Sequence, residues 1–141
     1  MMEKPFDFEK RLCRVHKPHR VNPARHVEGV RIEPGWVILR PADTGEVLRH
    51  AAEDLAEYFA VSMELELPVR TGGAETGTIS VRVDPALPAK AFRLKAEGEK
   101  IELTGADERA AAQACYALED ALNLNEQPVL EPQEKTYRPR F

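Results

Sequence analysis

The stretch Ala91–Leu122, AFRLKAEGEKIELTGADERAAAQACYALEDAL, constrains the fold of this 141-residue chain more than any other. Phe92, Leu94 and Ala96 alternate with Arg93 and Lys95; Ile101 and Leu103 then alternate with Lys100, Glu102 and Thr104. Alternation with a period of two belongs to strands that bury one face. Glu97-Gly98 between them supplies the glycine that a short hairpin loop needs. After Thr104-Gly105, Asp107 and Glu108 put negative charge where a helix N-terminus favours it. Ala111, Ala114, Cys115, Leu118 and Leu122 then recur at helical spacing and form one apolar stripe. Alanine at so many buried positions brings the helix axis close to whatever lies beneath it. The segment predicts a hairpin covered by a helix over Asp107–Leu122.

The same pattern extends upstream. Val30 and Ile32 alternate with polar neighbours, Pro34-Gly35 marks a turn, and Trp36-Val37-Ile38-Leu39 is a continuous apolar run suited to a strand inside a sheet. Asp43 and Thr44 offer N-cap oxygens to a helix over Val47–Phe59, with Glu46 in its first turn. Leu48, Ala51, Ala52, Leu55 and Phe59 make its buried side, and Glu46, Arg49, Glu53, Asp54 and Glu57 its polar side. Leu67-Pro68-Val69-Arg70 reads as a short strand, and Pro68 consigns it to an edge. Ile79, Val81 and Val83 alternate with Thr78, Ser80 and Arg82 in another strand. Together these segments predict an α+β fold: a mixed sheet of four or five strands with two helices packed on one face.

Residues 1–28 carry Pro5, Pro18 and Pro23 without sustained periodicity and read as an extended basic arm. Residues 29–124 form the α+β domain, and 125–141 an extended C-terminal segment. Charge is unevenly spread: seven basic residues lie between Lys10 and Arg31 against Glu28 alone, whereas ten basic side chains face seventeen acidic ones from Ala51 onward. Two cysteines, Cys13 and Cys115, make no disulfide framework, and Cys115 sits on an apolar helix face. MMEKPFDFEKRL lacks the apolar core of a secretory signal, and no apolar run could span a bilayer. The expectation is a soluble chain, cytoplasmic as written, without a membrane partner.

Few groups suggest chemistry. Cys13, His16, His19 and His26 resemble a zinc set, but Arg14, Lys17 and Arg20 stand among them and would repel a dication, so a solvated basic arm is favoured over a metal site. The arm's charge suits phosphate, yet no aromatic residues interleave with it, and packing on an acidic protein surface is favoured over nucleic acid. Thr71-Gly72-Gly73 opens no helix and reads as a surface turn. His50 falls on a polar helix face, and Trp36 reads as packing. The carboxylates Glu53, Asp54, Glu57, Asp107, Glu108, Glu119 and Asp120 are explained by solvent or i,i+4 pairing. No catalytic residue, cofactor site or metal site is assigned.

The succession WVILRP, HAAEDLAEYF, LELPV, TISVRV and AFRLKAEGEKIELTGADERAAAQACYALEDAL resembles the N-terminal domain of glycoside hydrolases such as bacterial β-N-acetylhexosaminidases and α-glucuronidases. The residues that carry it are Ala51, Ala52, Leu55, Leu67, Pro68, Val69, Ile101, Leu103, Gly105, Tyr116 and Leu118, within Trp36–Leu122. Pro139-Arg140-Phe141 is similar to the tripeptide that enters the catalytic barrel in the hexosaminidases. Glu64-Leu65-Glu66 departs from the family, where glycine often precedes the Leu-Pro-Val strand, as do alanines in the last helix in place of glycines. The resemblance implies a non-catalytic accessory domain that packs against a (β/α)8 barrel of about 250 residues and shapes access to it. That barrel, with the catalytic carboxylates of such enzymes, is absent from this chain. The alternative is a stand-alone binding module for glycan or an acidic macromolecule, using Arg82, Arg93, Lys95 and Lys100 on an exposed sheet face together with the basic arm.

Overall fold

The computed structural model describes residues 16–72 and 75–138. Their elements run β1 (Val30–Arg31), β2 (Val37–Arg40), α1 (Glu46–Ser62), β3 (Val69–Thr71), β4 (Thr78–Val83), β5 (Phe92–Glu97), β6 (Lys100–Gly105), α2 (Glu108–Asn125), β7 (Val129–Leu130) and β8 (Gln133–Tyr137). Six strands form one sheet in the order β3-β2-β4-β6-β5-β8, and β1 pairs with β7 in a separate two-stranded ladder. From β3 to β6 the strands are parallel; β5 is antiparallel to both β6 and β8. The described residues are therefore α+β, with a mixed sheet and two helices.

The sheet is larger than the four or five strands expected from periodicity. The additional strand, β8, lies in the segment read as an extended tail. It is almost wholly exposed and carries no buried apolar residue, so no stripe betrays it. As an edge strand it is held through its backbone to β5, from Phe92↔Tyr137 to Ala96↔Gln133. The Phe92 and Tyr137 rings stack across that register with centroids 5.0 Å apart. The strand containing Val69 is the opposite edge, in keeping with Pro68 before it.

The register explains the two unlike faces. Ile38, Ile79, Ile101 and Ala96 form one cross-strand row, and Val81, Leu103 and Leu94 the next. All seven are buried. Against them pack Leu48, Ala51, Ala52, Leu55 and Phe59 of α1, with Ala111, Ala114, Cys115, Leu118 and Leu122 of α2. The opposite face carries Ser80, Glu102, Lys95 and Glu134 in one row and Arg82, Thr104, Arg93 and Thr136 in another.

Close approach of α2 to the sheet depends on Gly105, the last residue of β6. A Cβ there would lie 2.0 Å from the Ala111 backbone nitrogen, so the strand end and the helix start touch backbone to backbone. Asp107 caps α2 by accepting from the Ala110 N–H at 2.8 Å. In the β5–β6 hairpin, Gly98 has φ +61°, the left-handed conformation the tight turn requires.

The start of α1 departs from expectation. Its N-cap is Gly45, and neither Asp43 nor Thr44 caps it with a side chain. Glu108, from the first turn of α2, takes that role. Its Oε2 accepts from Gly45 N–H at 2.8 Å and its Oε1 from Leu48 N–H at 2.9 Å. In a capping box two side chains satisfy the N-cap and N3 donors reciprocally; here one carboxylate from another helix satisfies both.

Candidate functional site

Among the described residues, His16, Asp54 and Glu119 form a titratable cluster drawn from the N-terminal arm, α1 and α2. His16 Nε2 lies 3.1 Å from Asp54 Oδ1, and His16 Nδ1 lies 3.9 Å from Glu119 Oε1. Their side chains are 4%, 18% and 1% exposed. The His16 ring meets Tyr58 edge-on at 5.3 Å between centroids. Tyr58 ties the helices together below by donating its hydroxyl to Asn123 Oδ1 at 2.7 Å. Asp54 Oδ2 is buried without a hydrogen-bond partner among the described residues.

Surface pairing does not account for these two carboxylates. The arm turns them inward, because it lies across the helices on the side away from the sheet. The Ser62 hydroxyl donates to the Lys17 carbonyl at 2.7 Å, Arg20 N–H to the Ser62 carbonyl at 2.9 Å, and Asn22 N–H to the Glu126 carbonyl at 2.9 Å. One sequence signal did exist for Glu119: it falls four residues after Cys115, at the edge of the buried stripe. The thiol of Cys115 is pushed far above its ordinary value, first by burial and then by the nearby charges of Glu119 and Asp54.

The described members of the metal-like set read from the sequence, His16, His19 and His26, are not brought together. Cys13 and Arg14 lie outside the described residues. His16 turns to Asp54 and Glu119, while His19 Nδ1 lies 2.9 Å from Glu64 Oε1 on the surface and His26 is exposed. Lys17 is exposed, and Arg20 lends its backbone to the arm's attachment. The Thr71-Gly72-Gly73 turn is in part sheet: Thr71 ends β3 and Gly72 N–H donates to the Arg40 carbonyl, while Gly73 lies outside the described residues. His50 is exposed and Trp36 is buried.

The cationic face of the sheet is partly neutralised. Arg82 approaches Glu102 at 3.8 Å, and Lys95 approaches Glu97 at 3.9 Å. Arg93 and Lys100 share this open face through their registers with Thr104 and Thr78. The described part of the basic arm sits on the helices instead. The helical layer therefore lies between the sheet face and the described part of the arm, the two regions named in the binding-module alternative.

An open groove of about 560 Å³ lies where the helix-side row of β5 and β8 meets the start of α2. The Phe92–Tyr137 stack forms one wall, and Lys90, Arg109, Gln113 and Arg138 line the remainder. It offers an apolar floor with cationic rims. Among the described residues, no pair of carboxylates converges on it.

No protein-family model and no curated protein matches this chain in sequence. Solved structures do match it in shape. A GH20 β-N-acetylhexosaminidase from Streptomyces coelicolor A3(2) superposes with a TM-score of 0.57 at 20% identity, over 83% of this chain and 25% of that one. A β-N-acetylhexosaminidase from Bacteroides fragilis NCTC 9343 gives 0.55 at 16% identity, over 83% and 24%. A GH138 enzyme targeting pectin rhamnogalacturonan II gives 0.54 at 18% identity, over 69% and 14%. The chain spans a quarter or less of each of these structures, and its fold is that of one part of such glycoside hydrolases.

Proposed function

We propose that this chain is a non-catalytic accessory domain of a carbohydrate-active glycoside hydrolase, packing against a catalytic (β/α)8 barrel and shaping access to it. The observation that carries the reading is the asymmetry of coverage: 83% of this chain corresponds to 24–25% of the two β-N-acetylhexosaminidases. A likeness of that kind suits a part whose active centre is supplied by the remainder of the enzyme. The disposition of acids within this domain supports the same view. Glycoside hydrolysis uses two carboxyl groups separated by about 5–9.5 Å across a bound sugar. Among the described residues, the carboxylates that converge, Asp54 and Glu119, face the His16 ring with side chains only 18% and 1% exposed, an arrangement unlike a pair flanking an open sugar site.

The groove beside Tyr137 and Arg138 is the surface best placed to meet the barrel, since the chain leaves β8 at its edge. Pro139-Arg140-Phe141, the tripeptide similar to a barrel entry, lies outside the described residues. In this role the domain requires no cofactor, and its partner is the barrel, not nucleic acid.

Two measurements test the proposal. Reading the gene beyond the Phe141 codon is expected to reveal a continuing barrel-coding frame; a stop codon there counts against the accessory role. Incubating the purified 141-residue chain with chromogenic N-acetylhexosaminides and uronides is expected to give no turnover. Turnover abolished by substituting a carboxylate of this chain would overturn the non-catalytic assignment.

A further inference from the structure

We propose that His16, Asp54 and Glu119 form a divalent-cation site, suited to zinc, that fastens the N-terminal arm to the two helices. The proposal is independent of the accessory role.

The three side chains come from segments far apart in sequence, yet one ligand atom from each lies within 4.8 Å of the others. Modest side-chain shifts would bring these atoms to the roughly 2.0–2.2 Å of zinc–nitrogen and zinc–oxygen bonds. An imidazole with two carboxylates suits zinc or a similar transition ion, whereas calcium and magnesium prefer six or more oxygens. Three protein ligands leave a fourth position for water.

Asp54 supplies the second observation. Its Oδ1 faces His16, but its buried Oδ2 has no hydrogen-bond partner among the described residues. A buried carboxylate oxygen in that state is costly, and a cation satisfies it directly. The ring of His16 is held edge-on by Tyr58, which fixes its orientation ahead of binding. This set shares only His16 with the Cys13, His16, His19 and His26 grouping suggested by sequence spacing.

The test uses the full 141-residue chain stripped with a chelator and titrated with Zn²⁺ by calorimetry, with Ca²⁺ and Mg²⁺ as comparators. One Zn²⁺ per chain is expected, with a rise in Tm and little response to the other ions. His16→Ala and the near-isosteric Asp54→Asn should each weaken binding by well over about tenfold, the loss typical of disturbing only a ligand's supporting partner. A Cys13→Ser/His19→Ala/His26→Ala variant should bind as the parent does. Co²⁺ in place of Zn²⁺ should show ligand-field absorption without a thiolate charge-transfer band. Binding no stronger than that of Asp54→Asn would overturn the site. So would binding that survives His16→Ala but is lost in the triple variant.

Discussion

Removing the Glu108 carboxylate should destabilise a helix to which Glu108 does not belong. Glu108 stands in the first turn of α2, but its oxygens satisfy Gly45 N–H and Leu48 N–H at the start of α1. Loss of an N-cap typically costs about 0.5–2 kcal/mol, and an anion at a helix N-terminus contributes about 0.3–1 kcal/mol more. Two bonds are lost at once, so Glu108→Ala is expected to cost about 2 kcal/mol. With unfolding entropy near 2.1 cal/mol/K per residue, 141 residues lose about 7 °C in Tm for that change. Glu108→Gln keeps one good acceptor and should fall about midway.

The assay is urea denaturation followed by far-ultraviolet circular dichroism. A double-mutant cycle with Gly45→Ala sharpens it, because a Cβ at Gly45 would lie 2.7 Å from Glu108 Oε2 and displace the carboxylate. Gly45→Ala should therefore be costly alone and nearly neutral in the Glu108→Ala background, with a coupling of about 1 kcal/mol or more. Asp43→Ala, at the position whose spacing suggested a local cap, should change stability by less than about 0.5 kcal/mol. If Glu108→Ala lies within about 0.3 kcal/mol of the parent, or if the two costs simply add, the cross-helix cap is refuted.

Gly105→Ala places a methyl group 2.0 Å from the Ala111 backbone nitrogen and should prevent cooperative folding, read as loss of a sigmoidal thermal transition. Ala114→Leu should overpack the helix–sheet layer by about 1–3 kcal/mol while leaving the helical circular dichroism signature intact. Cys115 should react with a thiol reagent only at the rate of unfolding, since it is fully buried. Its folded-state value is raised above the ordinary 9.0, so its contribution to stability is complete below that pH and is lost as pH rises above it. Relative to Cys115→Ala, the parent should then lose about 1.4 kcal/mol of stability per pH unit; parallel pH profiles would contradict the assignment.

Much of the fold was legible because its rules are local. Each strand of the β5–β6 hairpin declares its buried face through alternation, and α2 declares its own through Ala111, Ala114, Cys115, Leu118 and Leu122. The α1 stripe is equally plain, although the helix runs to Ser62, beyond the Phe59 at which the stripe ends. What escaped was of another kind. Strand β8 has no apolar stripe because an edge strand needs only a backbone partner, and that partner is β5. Asp54 and Glu119 looked like solvated helix charges because a helical wheel cannot show a separate segment lying over it.

The chain by itself therefore determined its α+β class, its two sheet-covering helices and the close approach of the alanine-lined helix to the sheet. Those features follow from period, residue volume and backbone geometry within short windows. Only the tertiary structure decided that Glu108 caps α1, that the C-terminal segment completes the sheet, and that His16 meets Asp54 and Glu119. Each joins residues dozens of positions apart, and such distances are closed by burying the whole core. The hairpin and helix of Ala91–Leu122 build the platform, and packing on that platform gives the polar residues their partners.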